Sequence, residues 1–336
     1  MKRVLLTGAG GFVGAHALEH LLENTNWHIV CLDSFRHKGK TDRIRTVLGN
    51  NDSFLKRVTV VRHDLTTPIY EQTAQAIGKI DYVLNIASES HVDRSIDEPR
   101  TFIENNVMLV LTMLEYIRKY PVEKFIQMST DEVYGPAKDG HKHKEGEPHR
   151  PSNPYSASKA AQEDIVYSYW RTYNLPIIIT NTMNIIGEMQ DPEKFVPMII
   201  ERVNSGKKVT IHASKDGKRI GTRFYLHARN QADALLYIVK HIKPTQYGYG
   251  EITQFNVVGE REVDNLEMAQ LVAKSVGKKL KYKLVDFHSS RPGHDLRYAL
   301  DGRKLKKAGW KAPVKFEDSL DKTVKWTLEH DQWLKS

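Results

Sequence analysis

Apolar and polar positions follow two alternating rhythms through the first half of the chain. Short apolar runs at residues 4–7, 28–32, 58–62, 82–86, 124–128 and 176–180 have the length and β-branched content of buried strands. Between them, residues 12–22, 101–119 and 155–173 show helical periodicity. Such alternation predicts right-handed βαβ units, and so an α/β doubly wound parallel sheet with helices on both faces. Residues 136–154 read as a polar loop rich in Gly and Pro. After about residue 182 the rhythm breaks into pieces punctuated by Pro, Gly and Arg. The predicted organisation is a sheet domain over 1–182, with a returning segment at about 224–258, and a smaller C-terminal lobe from about 183–223 and 259–336. Residues 317–333 have the periodicity of a closing helix.

The helix at 101–119 carries Val107 to Leu111, Met113 and Leu114, apolar around nearly its whole circumference. One sheet cannot cover every side of it. A homodimer interface is the natural cover; burial under another part of the same chain is the alternative.

Bulk properties narrow the function. The chain has 336 residues, 40% hydrophobic and 27% charged, so it is globular rather than disordered. No apolar run reaches the roughly 18 residues of a membrane span, and a first strand at residue 4 leaves no room for a leader. With Cys31 alone no internal disulfide is possible, and a cytoplasmic location is expected. The net charge of +9 fits either a nucleic-acid binder or an enzyme with an anionic substrate. No stretch interleaves aromatics with Lys and Arg, which disfavours nucleic acid. His141, His143 and His149 read as a solvated loop rather than a metal site, because no known ligand spacing accompanies them.

Gly8, Gly11 and Gly14 lie between a strand and a helix. The first glycine allows a tight turn, the second lets backbone approach a pyrophosphate, and the third lets the helix sit close to the sheet. The helix N-terminus then offers N–H groups to phosphate. Asp33 ends the second strand, where a carboxylate accepts from a ribose diol and repels a 2′-phosphate; this favours NAD over NADP. An ordinary loop aspartate is the alternative. Phe12, Val13 and Ser34 complete this end of the expected cofactor site. Asp64 and Leu65, then Ile86, Ala87 and Ser88, follow the third and fourth strands, at the carboxyl ends that line the ligand crevice of such a Rossmann sheet.

Ser129-Thr130-Asp131-Glu132-Val133-Tyr134-Gly135 sets two acids side by side just after the fifth strand. Tyr155 and Lys159, four apart, share one helix face. A nearby ammonium and an oxidised nicotinamide are both expected to favour phenolate and lower the tyrosine pKa toward working pH, with Thr130 bonding the same substrate hydroxyl. Glycine turn, strand-end Ser-Thr and Tyr/Lys pair together resemble an extended short-chain dehydrogenase/reductase. Residues 87–95, 129–135, 154–159, 192–194 and 291–295 resemble the nucleotide-sugar 4,6-dehydratases, the dTDP-glucose enzymes above all.

That resemblance implies a reaction. Tyr155 takes the proton of the sugar's 4-hydroxyl as hydride passes to NAD. Glu132 removes the carbon-5 proton, Asp131 protonates the departing 6-hydroxyl, and hydride returns to carbon 6. Asp131 must then be protonated at the elimination step, which a neighbouring carboxylate and burial would favour. The resemblance also implies substrate contacts at Ser90, Asn184, Glu193, Lys194, Arg223, Asn256, Arg291 and His294. Departures fall in the substrate lobe, and one of them replaces a cofactor-side asparagine by isoleucine. Asn184-Ile185-Ile186-Gly187-Glu188 stands where the family reads Asn-Asn-Tyr-Gly-Pro, Arg223-Phe224-Tyr225 where it reads Arg-Asp-Trp, and Asn230 replaces an acid. The expected substrate is dTDP-glucose, with UDP-glucose or a UDP-N-acetylhexosamine as other possibilities. The alternative activity is a 4-epimerase or decarboxylase of the same superfamily.

Overall fold

The computed structural model describes residues 1–286 and 296–335. Arg291 and His294 lie outside the described residues. Seven parallel strands form the main sheet: β1 (Arg3–Thr7), β2 (His28–Asp33), β3 (Val58–Arg62), β4 (Tyr82–Asn85), β5 (Lys124–Thr130), β6 (Ile177–Thr182) and, much later, β10 (Thr253–Val257). Their spatial order is β10-β6-β5-β4-β1-β2-β3. Strand order therefore reverses beside β1, the point where doubly wound sheets open a ligand crevice at their carboxyl ends.

Alternation along the strands explains the two-sided core. Val4 and Leu6 face a cluster with Leu18 and Leu21 of α1 (Phe12–Asn24). Leu5 faces the opposite cluster with Leu109, Met113 and Leu114. A strand buried on both faces needs the unbroken apolar run that the sequence shows.

The remaining helices of the first half are α2 (Thr41–Leu48), α3 (Asp52–Leu55), α4 (Glu71–Ile77), α5 (Val92–Asp97), α6 (Pro99–Lys119) and α7 (Pro154–Tyr173). Helices α2 to α5 were not visible as patterns, being short and without a full apolar stripe. Strand β5 runs two residues past its predicted end and carries Ser129 and Thr130 into the sheet, paired with Asn181 and Thr182. Helix α6 starts two residues early because Pro99 occupies its first turn, where a missing N–H costs nothing.

The second half supplies β7 (Asn184–Ile186), β8 (Val209–Ala213), β9 (Thr222–His227), β11 (Glu262–Asp264) and β12 (Tyr282–Asp286). They form a three-stranded sheet, β11-β9-β7, and a pair, β12-β8. Helices α8 (Phe195–Asn204) and α10 (Asn265–Val276) share a third apolar cluster with this region, whereas α9 (Ala228–His241) packs on α1. The return to the large sheet thus begins at α9; β9 belongs to the small one. After the short α11 (Arg303–Lys307), the closing helix α12 covers Phe316–Glu329, and a separate turn follows at Asp331–Leu334.

Burial of α6 is one-sided. Phe102, Asn106, Leu109, Val110, Met113 and Ile117 are buried, with α5 and α7 among its neighbours, while Ile103 and Met108 remain exposed. Intrachain packing therefore takes most of the surface that the apolar pattern left to a partner.

Candidate active site

The glycine turn is built so tightly that side chains are excluded. Gly8 has φ +71, and a Cβ there would stand 2.8 Å from Ala87 Cα. A Cβ on Gly14 would stand 2.0 Å from the Gly8 carbonyl oxygen. The carbonyl of Gly8 also accepts from the Gly11 amide at 2.9 Å. Asp33, at the end of β2, is buried and accepts from the amides of Gly10 and Phe35, each at 2.8 Å. Burial raises its pKa, and these amides oppose the rise. A carboxyl is thus fixed against the turn that opens α1.

A cleft of about 230 Å³ joins these parts. Its wall includes Gly8, Gly11, Phe12, Val13, Gly14, Asp33, Ser34, Asp64, Leu65, Ile86, Ala87 and Ser88, together with Tyr155, Lys159, Ser90, Glu193 and Lys194. A backbone cradle at a helix N-terminus with a carboxylate one strand away suits a dinucleotide. The residues present therefore fit NAD.

The chemical groups converge from two elements. Thr130 ends β5 and caps the single turn Asp131–Tyr134. Tyr155 stands in the first turn of α7, which Asn153 and Ser156 close with a reciprocal capping box behind Pro154. Thr130 hydrogen-bonds the Tyr155 phenol and donates to Asp131 Oδ1 at 2.9 Å. Asp131 is 3% exposed and its Oδ2 is buried without a hydrogen-bond partner among the described residues. Burial, then the Glu132 charge, raises the Asp131 pKa to about 7; the Thr130 bond and the Arg223 charge oppose the shift. Glu132 Oε2 accepts from Asn153 Nδ2 at 3.2 Å, so the residue that caps α7 also holds the second acid.

One expectation needs correction. Burial and the charges of Glu132 and Asp131 push the Tyr155 phenol well above its ordinary pKa, and only the Thr130 bond lowers it. Lys159 does not offset this, because its Nζ donates elsewhere: to the Met128 carbonyl at 2.8 Å and to Gln162 Oε1 at 2.6 Å. Burial lowers the lysine's own pKa to about 8.

Sequence reasoning missed what holds the lysine. A chain of side-chain hydrogen bonds crosses three strands: Thr7 donates to Asn85 at 2.8 Å, Asn85 to Gln127 at 2.8 Å, and Gln127 to Gln162 at 3.2 Å. All four are fully buried. Gln162 Nε2 in turn donates to the Asn106 carbonyl of α6. Parallel register places Thr7, Asn85 and Gln127 directly abreast. A polar residue inside each of three apolar runs was the available signal.

The substrate-side residues come together less completely. Lys194 Nζ donates to the Ser90 carbonyl at 3.1 Å, and Glu193 pairs with Lys38 at 3.1 Å across the cleft mouth. Asn184 is exposed and, like Arg223 and Asn256, does not line this cleft. Arg223 donates to the carbonyls of Thr222 and Leu296 at 2.7 and 2.8 Å and lies over the Tyr298 ring. Buried Asn256 donates to the carbonyls of His143 and Asp301 at 3.0 and 3.3 Å, tying two loops beside a different cleft. The loop histidines divide: His141 and His143 meet Glu147, while His149 meets Glu163 and Asp164.

Comparison with known proteins agrees with this geometry. The profile of the GDP-mannose 4,6 dehydratase family matches residues 5–323. The chain is 33% identical to the low-salt glycan biosynthesis protein Agl12 of Haloferax volcanii over 329 residues, covering 98% of this chain and 99% of that protein. It is also 33% identical to the dTDP-glucose 4,6-dehydratase of Salmonella typhimurium over 356 residues, 99% of this chain and 94% of that one. The crystal structure of DesIV, a dTDP-glucose 4,6-dehydratase from Streptomyces venezuelae with NAD bound, superposes with a TM-score of 0.85 at 28% identity and covers 99% of each chain. The Thermus thermophilus UDP-glucose 4-epimerase complex with NAD gives 0.83 at 29% identity, over 96% of this chain and 98% of that one. With the acid pair, the Tyr/Lys pair and the glycine cradle all in place, the chain belongs to the nucleotide-sugar 4,6-dehydratases of the extended short-chain dehydrogenase/reductase family, which are NAD-dependent hydro-lyases.

Proposed function

We propose that this protein removes water from carbons 5 and 6 of a nucleotide-linked hexose, dTDP-glucose first among the candidates, leaving the 4-keto-6-deoxy sugar. The observation that carries the reading is Asp131, a buried carboxyl with its pKa raised to about 7 beside a second acid, Glu132. A carboxyl that stays protonated near neutral pH can donate a proton while its neighbour accepts one.

The glycine cradle and Asp33 would hold NAD, which when bound supplies the reversible acceptor for the hydride of carbon 4. Tyr155 receives the 4-hydroxyl proton, and the positive charge that oxidised NAD would bring beside it favours the phenolate that receives it. Lys159, anchored by Met128 and Gln162, contributes a positive charge on the same helix face. A ketone at carbon 4 acidifies carbon 5, and Glu132, steadied by Asn153, takes that proton. Asp131 delivers its proton to the departing 6-hydroxyl; the hydride held by the cofactor would then return to carbon 6, with a proton given back to carbon 5 by Glu132, to leave the 4-keto-6-deoxy sugar. Lys194 and Glu193 edge the same cleft and would orient the sugar nucleotide; Arg223 does not line that cleft, but its charge reaches Asp131, and its guanidinium would act on the phosphates if it left its carbonyl partners.

An epimerase inverts carbon 4 without losing water and has no use for the acid pair, so the pair favours dehydration. Incubation with dTDP-, UDP-, CDP- and GDP-hexoses, read by mass, tests the reading. Loss of water from one of them is expected; an isomer of unchanged mass, or no product from any, overturns it.

The same reading includes a cytosolic homodimer. Exposed Ile103 and Met108 on α6, with Tyr167 and Tyr173 on α7, form the apolar surface that a second copy would cover. Light scattering at micromolar concentration should give twice the chain mass.

A further inference from the structure

We infer that the loop between the two catalytic elements carries a site for a divalent transition ion of the zinc type, formed by His141, His143 and Glu147. His141 Nε2 and His143 Nδ1 lie 3.1 and 2.7 Å from one carboxylate oxygen, Glu147 Oε2. All three ligand atoms fall within 4.8 Å of one another. Two imidazoles and a carboxylate make a tetrahedral site with its fourth position left for water. Bonds of about 2.0–2.1 Å to such an ion set ligand atoms about 3.3 Å apart. The glutamate therefore needs to withdraw by only a few tenths of an ångström to admit one.

The three side chains are fixed before any ion arrives. Glu147 Oε1 already accepts from the Lys144 amide at 2.8 Å, which leaves Oε2 for the histidines. The His143 backbone is pinned by bonds to Ala299 and Asp301, each under 3 Å, and its ring stacks on Tyr134. The His141 carbonyl accepts from Arg297 at 2.7 Å. His141 and Glu147 stand on the wall of a cleft of about 1100 Å³, so the open position faces a space that water can enter. Lys142 and Lys144 flank the site, and a single carboxylate does not outweigh them. Two imidazoles among the three ligands select ions that favour nitrogen, not Mg²⁺ or Ca²⁺.

An ion there would clip the segment joining Asp131 and Glu132 to Tyr155. It would not touch the reacting groups, so its presence is independent of the reaction proposed above. The test is Co²⁺ titration of the tag-free protein after chelator treatment, followed by visible absorption. One equivalent should bind in the micromolar range with the intense bands of tetrahedral Co²⁺, and Zn²⁺ should displace it while Mg²⁺ should not. Glu147→Gln and His141→Ala should each weaken binding at least ten-fold, with native circular dichroism as the folding control. His149→Ala, whose ring faces Glu163 and Asp164, should bind as the parent does. Absence of binding tighter than millimolar, or binding that Glu147→Gln and His141→Ala leave unchanged, overturns the site.

Discussion

The two sides of the cleft are built differently. On the cofactor side, a glycine turn, a strand-end carboxylate and helix α1 sit within a few residues of the strands that carry them, and one parallel sheet fixes them all. On the substrate side, Ser90, Glu193 and Lys194 arrive from separate segments and meet through ion pairs and a backbone contact. Local construction makes the first side rigid; assembly over long sequence separations lets the second side vary. The departures from the family pattern, at Ile185, Ile186, Phe224 and Asn230, all fall after β6, and none of them lines the cleft. Chemistry should therefore be sensitive to changes on the first side and substrate preference to changes on the second.

The largest effect is expected from Tyr155→Phe. Without the phenol no group receives the 4-hydroxyl proton, and turnover should fall by about 10² or more, with folding intact. Wild-type turnover in that variant would mean that both sides had been misassigned. Gly14→Ala comes next. Its Cβ would lie 2.0 Å from a backbone oxygen that cannot move cheaply, a cost of about 3 kcal/mol. The variant should lose NAD on gel filtration and melt earlier than the parent.

A smaller change probes the amide chain beneath Lys159. Gln162→Met removes the acceptor at 2.6 Å and should push the lysine's pKa below about 8. Gln162→Glu should raise it instead, because a nearby negative charge favours the ammonium. The alkaline limb of the rate profile should shift in opposite directions in the two variants; a purely structural role would lower activity in both and move neither limb. On the other side, Arg223→Lys should raise KM for the sugar nucleotide about ten-fold while leaving bound NAD in place, since a lysine cannot reproduce bidentate contact with phosphate.

Legibility in the sequence follows the same division. The strands of the large sheet and the helices bearing Gly14 and Tyr155 announce themselves through unbroken apolar runs and helical periodicity. Asp131 and Glu132 were readable because adjacent acids after a buried strand have few other uses. The amide chain was not readable, because it depends on the register that sets Thr7, Asn85 and Gln127 abreast. That Lys159 Nζ bonds Met128 and Gln162 rather than Tyr155 was not readable, because those partners come from β5 and from its own helix. Glu147 was passed over beside His141 and His143 because its role depends on how the loop folds back on itself. Asn256, read as a nucleotide contact, holds loop carbonyls through an amide that motif matching cannot orient.

The proton held by Asp131 is the feature on which dehydration turns, and Asp131→Asn tests it in two ways at once. An aspartate raised from 3.8 to about 7 in the folded protein binds its proton more tightly there than in the unfolded chain. Its presence costs stability progressively as pH rises from about 4 to about 7, and the cost is full above that. Asparagine carries no charge, so the variant should melt higher than the parent at pH 8 and alike at pH 4. The amide cannot deliver a proton, so water loss should slow by about 10² or more while NADH absorbance still appears on adding substrate. The most direct measurement is therefore single-turnover reaction of Asp131→Asn with dTDP-glucose, followed together by absorbance and by product mass. Transient NADH without dehydrated sugar is the expected result; dehydrated sugar formed at the parent rate would contradict the role assigned to Asp131 and with it the proposed mechanism.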